Sequence, residues 1–186
     1  LGQGKIMTFN IRFNNPNDGD NKWDDRKEEV AQLLYYYHPD FFGLQEALKG
    51  QIDFLVEELP TYSYTGVGRD DGKDKGEFVP IFYNNSKYDL LKSSTFWLSE
   101  SPEKISVGWD ASMERITTIA IFKHKNNGEL TYVVNCHYDH IGVQARTMSS
   151  NLLMKLIADL EVNDNALFVI GDFNSNPQDE SISILK

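Results

Sequence analysis

The chain has 186 residues, 40% hydrophobic and 25% charged, which suits one globular domain with a proper hydrophobic core. Its net charge of −10 argues against a broad basic face for gripping duplex nucleic acid, while leaving room for a phosphate held through a divalent cation. A single cysteine, Cys136, excludes a disulfide framework or a multi-cysteine zinc site, and no run approaches the ~18 apolar residues of a membrane span.

In chain order, "KIMTFNIRF" alternates, with Met7, Phe9, Ile11 and Phe13 on one face and Thr8, Asn10 and Arg12 on the other, as in a half-buried strand. The turn-forming loop "NNPNDGDN" follows, then a helix capped at Asp24 or Asp25 and running to about Tyr37. Its apolar stripe is Val30, Leu33, Leu34 and Tyr37, and His38-Pro39-Asp40 stops it. "FFGLQE" reads as a short buried strand, and the next helix carries Ile52, Leu55, Val56 and Leu59. Strands are expected at 62–67, 78–84, 88–98, 115–124 and 130–138, with a polar loop at 68–77 and a hairpin turn at 125–128. The longest helix spans 142–163, with Leu152, Leu153, Leu156, Ile157 and Leu160 inward, and "ALFVI" is the last strand. No repeat or linker divides the chain, so residues 1–186 form a single layered α/β domain. Because it begins at Leu1, the chain fits either export after leader removal or trimming, and the compartment stays unassigned.

Polar groups fall where strands end. Asn10 lies on the polar face of the first strand, and Glu46 closes "FFGLQE". In "TYVVNCHYDH" the alternation puts Asn135, His137 and Asp139 on one face, and Val134, Cys136 and Tyr138 on the other. In "GDFN", Asp172 and Asn174 sit two apart while Phe173 turns toward the core. If these ends converge they form a cleft of oxygen acceptors suited to a hard cation, with one imidazole for proton or charge work. Arg69, in the polar loop, and Arg115, ahead of a strand, are candidates for the substrate rim. The alternative is a solvated residue and an acid-paired one. Trp97 and Trp109 read as packing before base stacking.

The ordered set "FNIRF", "LQE", "NCHYDH" and "GDFNSNP" resembles the endonuclease/exonuclease/phosphatase family of metal-dependent phosphoesterases. Further stretches such as "GVGRDDG" and "GEFVPIFYN" resemble its bacterial branch near the nocturnin-type deadenylases. The resemblance implies a four-layer α/β sandwich, two mixed β-sheets face to face with helices outside. It implies that Glu46 holds Mg²⁺ or Mn²⁺ with Asn10 beside it, and that Asp172 orients or deprotonates the attacking water or supports a second metal. Asn174 would donate to the phosphate or fix its neighbour, and His137 would stabilise charge on phosphorus or protonate the leaving oxygen. Read from their own positions rather than from the resemblance, Asp139 and His140 orient His137 or cap the following helix, and Arg115, Arg69 and Asn135 are candidates for supporting the site or lining the substrate rim. The implied substrate is a phosphate ester: a nucleic-acid end, a nucleotide or a small phosphoester, with a tilt toward 3′-exonuclease-like action. The family normally closes with a Ser-Asp-His segment, and none of the 14 residues after Asp172 is a histidine, so a C-terminally truncated domain lacking its last strands is expected.

Two other readings compete. "NCHYDH" is similar to the zinc signature of metallo-β-lactamases with Asn135 replacing the first histidine, leaving His137, Asp139 and His140 to bind zinc. A non-catalytic remnant of the phosphoesterase fold would bind metal without turnover.

Overall fold

The computed structural model describes residues 4–186. Eight strands form two four-stranded sheets. The first sheet contains β1 (Ile6–Asn10), β2 (Phe41–Gln45), β3 (Tyr62–Thr65) and β4 (Ile81–Asn84), in the order β1-β2-β4-β3. The second contains β5 (Tyr88–Trp97), β6 (Ile116–His124), β7 (Leu130–His137) and β8 (Ala166–Asp172), in sequence order. Both sheets are mixed: β1 and β2 run parallel, as do β7 and β8, and the remaining pairs are antiparallel. Phe41 and Ile81 of the first sheet meet Ala120, Phe122 and Val133 of the second in the core between them.

Helices cover the outer faces. α1 (Trp23–Tyr37) and α2 (Lys49–Glu58) bury Trp23, Val30, Ala31, Leu34, Ile52 and Leu55 against Phe42, Leu44 and Phe82. On the far side, α3 (Val143–Ala158) sets Leu153 against Val134, Cys136 and Tyr138, and the short α4 (Glu180–Ile184) packs on α3. This is the four-layer sandwich expected, and Cys136 is a buried core residue.

Several boundaries differ for physical reasons. β1 stops at Asn10, because Arg12 adopts a left-handed φ of 57° that no strand continues. α1 starts at Trp23, whose indole packs edge-on against Phe54, so Asp24 and Asp25 stand in the first turn rather than at the cap. Leu33, Tyr37 and Val56 are exposed, because the buried stripe of α1 turns through Ala31 and that of α2 through Gln51. β4 begins at Ile81 rather than at residue 78, since Phe78 bridges to Ala47 and Gly68 outside the ladder. α3 ends at Ala158, and the left-handed Glu161 and Asn163 turn the chain toward β8.

One polar contact pins the two sheets together. Asn135, fully buried on β7, donates from Nδ2 to the Leu44 and Pro80 carbonyls, both at 2.9 Å, and accepts from Gln45 Nε2 at 2.7 Å. Gly43 makes room for it: a Cβ there would lie 2.5 Å from Asn135 Cγ. Every polar atom of this carboxamide is thus used across the sheet interface, which makes an otherwise costly burial tolerable.

Candidate active site

The parallel pairs explain why the polar strand ends converge. Asn10 is in register with Gln45, one residue before Glu46, and His137 is in register with Asp172. Parallel strands point the same way and so end together, and the bond from Asn10 to Asp172 brings the ends of the two pairs to one end of the sandwich. Gly171 lets β8 run close beside β7 there, since a Cβ would collide with the Cys136 backbone.

The result is a cleft of about 350 Å³ lined by Glu46, Glu77, Arg115, His137, His140, Asp172 and Asn174, with Arg12, Phe13 and Met113 completing its wall. Asn10 Nδ2 donates to Glu46 Oε1 and to Asp172 Oδ2, both at 2.9 Å, tying the acidic groups of the two sheets to one carboxamide. The Phe13 N–H donates to Glu46 Oε2 at 3.2 Å, and Arg12 Nη1 stands 3.8 Å from the same oxygen. Arg12 itself is anchored by Nε and Nη2 on Asp18, each at 3.0 Å. Asn174 donates from Nδ2 to the Tyr138 carbonyl at 2.9 Å, and its backbone N–H donates to Asp172 Oδ1. It therefore holds the strand end and orients its neighbour. Arg12, Glu46 and Asn174 all have left-handed backbones, strain of a kind that concentrates at functional sites.

The opposite wall is cationic. Arg115 is buried, with Nε donating to Asp139 Oδ1 at 3.3 Å, Nη1 lying 3.3 Å from both ring nitrogens of His137, and Nη2 donating to His140 Nδ1 at 2.8 Å. Asp139 also accepts from Ser112 Oγ and from the Ile141 and Gly142 N–H groups, so it anchors Arg115 and the turn into α3 together. Against the cost of burial, those hydrogen bonds hold its carboxyl well below the usual range. Burial and the Arg115 charge push the His137 pKa down to about 4, against the pull of Asp172 and Glu46. Glu77 moves the other way: burial raises its pKa despite Arg69, whose Nη1 donates to Glu77 Oε2 at 2.8 Å.

The structure thus brings together Asn10, Glu46, Arg115, His137, His140, Asp172 and Asn174. Arg69 stands behind the cleft on Glu77 rather than in a solvated loop, and Trp97, buried against Val79 and Ile116, donates to the Arg69 carbonyl at 2.9 Å. Asn135 lies outside the cleft, consumed in the sheet interface. Sequence reasoning passed over Arg12, Phe13, Glu77 and Met113. Only Glu77 left a signal, as the one acid between the loop glycine Gly76 and the apolar stretch "FVPIF". Zinc at His137, Asp139 and His140 conflicts with this geometry: the Arg115 guanidinium lies between the two imidazoles, and both Asp139 oxygens are engaged. Among the described residues, no three His, Cys, Asp or Glu side chains group closely enough to cage a metal.

Comparison with known proteins agrees with the fold. A structure from Bacteroides vulgatus, described as an endonuclease/exonuclease/phosphatase, is 41% identical, with a TM-score of 0.95 over 99% of this chain and 70% of its own. A mannosyl-6-phosphatase of Bacteroides thetaiotaomicron VPI-5482 is 38% identical, with a TM-score of 0.94 over 98% of this chain and 69% of its own. An uncharacterised protein of Acanthamoeba polyphaga mimivirus is 30% identical over 83% of this chain, which spans only 60% of that relative. The human nocturnin catalytic domain, at 18% identity and a TM-score of 0.78, shares the fold alone. With residues 7–186 matching its family model, the chain belongs to the Endonuclease/Exonuclease/phosphatase family.

Proposed function

We propose that this chain carries the active site of a divalent-metal-dependent phosphoesterase that releases phosphate from small phosphomonoesters of hydroxylated alcohols, sugar phosphates foremost. The observation that carries the reading is that Glu46 and Asp172, both bonded by the Asn10 carboxamide, line one small cleft with the buried Arg115 and His137. A monoester fits better than a polymer because the chain has a net charge of −10 and the cleft measures about 350 Å³. Kinship with the mannosyl-6-phosphatase supports the sugar-phosphate class. The tilt toward a 3′-exonuclease has weaker support: a CCR4-Not complex 3′-5′-exoribonuclease subunit of Mycosarcoma maydis is 27% identical over 62% of this chain but is covered over only 20% of its own length.

Glu46 would hold Mg²⁺ or Mn²⁺ through its carboxylate, with Asn10 beside it as the hydrogen-bond donor that fixes Glu46 and ties it to Asp172; one or two carboxylates with waters is how such an ion is taken. The bound ion would supply Lewis-acid polarisation of a phosphoryl oxygen. Asp172 accepts the proton of the attacking water as its oxygen bonds to phosphorus. The bond from phosphorus to the alcohol oxygen breaks, and the alcohol leaves protonated from solvent. Arg115, kept cationic by Asp139, faces the charge that builds on the phosphoryl oxygens. His137, with its pKa near 4, is neutral at physiological pH and serves as a fixed hydrogen-bonding group beside them.

The test is phosphate release from a hexose 6-phosphate, with Mg²⁺ and with chelator. Glu46→Gln and Asp172→Asn should each lose roughly 100-fold or more in kcat, and chelation should abolish turnover. Variants within a few-fold of wild type, or turnover indifferent to chelator, would contradict the reading.

A further inference from the structure

The three nitrogens of Arg115 have three partners, and the third has a consequence the reaction above does not use. Arginine is a donor only, so at 2.8 Å from Nη2 the His140 Nδ1 must be an acceptor, which leaves the ring proton on Nε2. Because Arg115 is itself fixed by Asp139 and buried, this choice of tautomer is imposed from below rather than left to solvent.

The two histidines on Arg115 differ in depth. The side chain of His137 is 6% exposed and that of His140 is 48% exposed, yet both line the same cleft. In that reaction a phosphate would lie on the floor among Glu46, Asp172 and His137, so the part of an ester extending outward from phosphorus would pass the rim where His140 stands. A locked N–H donor there finds an acceptor on a sugar hydroxyl or ring oxygen and none on a bare phenyl ring.

Resting on the phosphoesterase reading, we propose that His140 is a specificity-determining residue whose Nε2–H hydrogen-bonds an oxygen of the alcohol half of the substrate. Its energy is spent on choosing hydroxylated alcohols over apolar ones, separately from bond breaking at phosphorus.

Two near-isosteric replacements separate the ring nitrogens. Asparagine keeps an acceptor near the Nδ1 position and loses the outward donor, whereas glutamine carries an N–H to the Nε2 position. The measurement is the ratio of kcat/KM for a hexose 6-phosphate to that for phenyl phosphate. In His140→Asn the ratio should fall about tenfold, chiefly through KM of the sugar phosphate, and His140→Gln should hold it within about threefold of wild type, the scale of one hydrogen bond. A ratio unchanged in His140→Asn, or lowered equally in both variants, overturns the proposal while the phosphoesterase reading stands. A wild type inert toward both esters overturns that reading and the proposal with it.

Discussion

Asp139 shows how much one buried carboxylate can hold. It joins Arg115, Ser112 and the first N–H groups of the turn into α3, so its removal frees the cation on which both cleft histidines lean. Asp139→Asn should therefore cost about 3 kcal/mol of stability, the scale of breaking a buried ion pair, as read by denaturant unfolding. The pH dependence has a definite sign. A carboxyl held below its ordinary value stabilises the fold at pH values above that of a free aspartate, and the contribution is lost as pH falls through the depressed folded value. Wild type should thus lose stability on acidification below about pH 4, and Asp139→Asn should show a flatter acid limb. Parallel acid limbs in the two proteins would remove Asp139 from this role.

At the scale of elements, the join between the sheets rests on Gly43, Gln45 and Asn135. Asn135→Leu would strand the Leu44 carbonyl and deprive Gln45 of its shortest partner, for a loss of about 3 kcal/mol. Gly43→Ala would press a methyl group into Asn135, at about 1–3 kcal/mol. Urea midpoints within experimental error of wild type for both variants would show that the interface tolerates their loss. This pin also marks the limit of what the sequence discloses. Strand alternation was enough to put Asn135 and His137 on one face of β7, and strand-end position was enough to single out Asn10, Glu46 and Asp172. Period-two patterning gives a face and not a depth, so Asn135 read like a site residue until Gly43 was seen to receive it. Arg12 and Phe13 reach the cleft from a loop through a left-handed turn that no periodicity encodes, and Glu77 is marked only by its place after Gly76, since its pairing with Arg69 leaves no pattern. α3 ends before its sequence pattern does, because the apolar spacing carries on through Leu160 after the helix has stopped.

At the scale of the whole molecule, β1 and β8 end their sheets side by side, and among the described residues each pairs on one edge only. β8 is the more exposed case, because Leu167, Phe168, Val169 and Ile170 form an apolar run that is only partly buried. An unpaired apolar edge is a template for further strands. The same geometry brings the acidic groups of both sheets to one carboxamide, with a buried cation opposite. That arrangement is the core of the functional account. Calorimetric titration with Mn²⁺ of wild type and Glu46→Gln tests it most directly, without depending on the choice of substrate. The account predicts saturable one-site binding to wild type that is lost in the variant. Binding of equal strength in both proteins would contradict it.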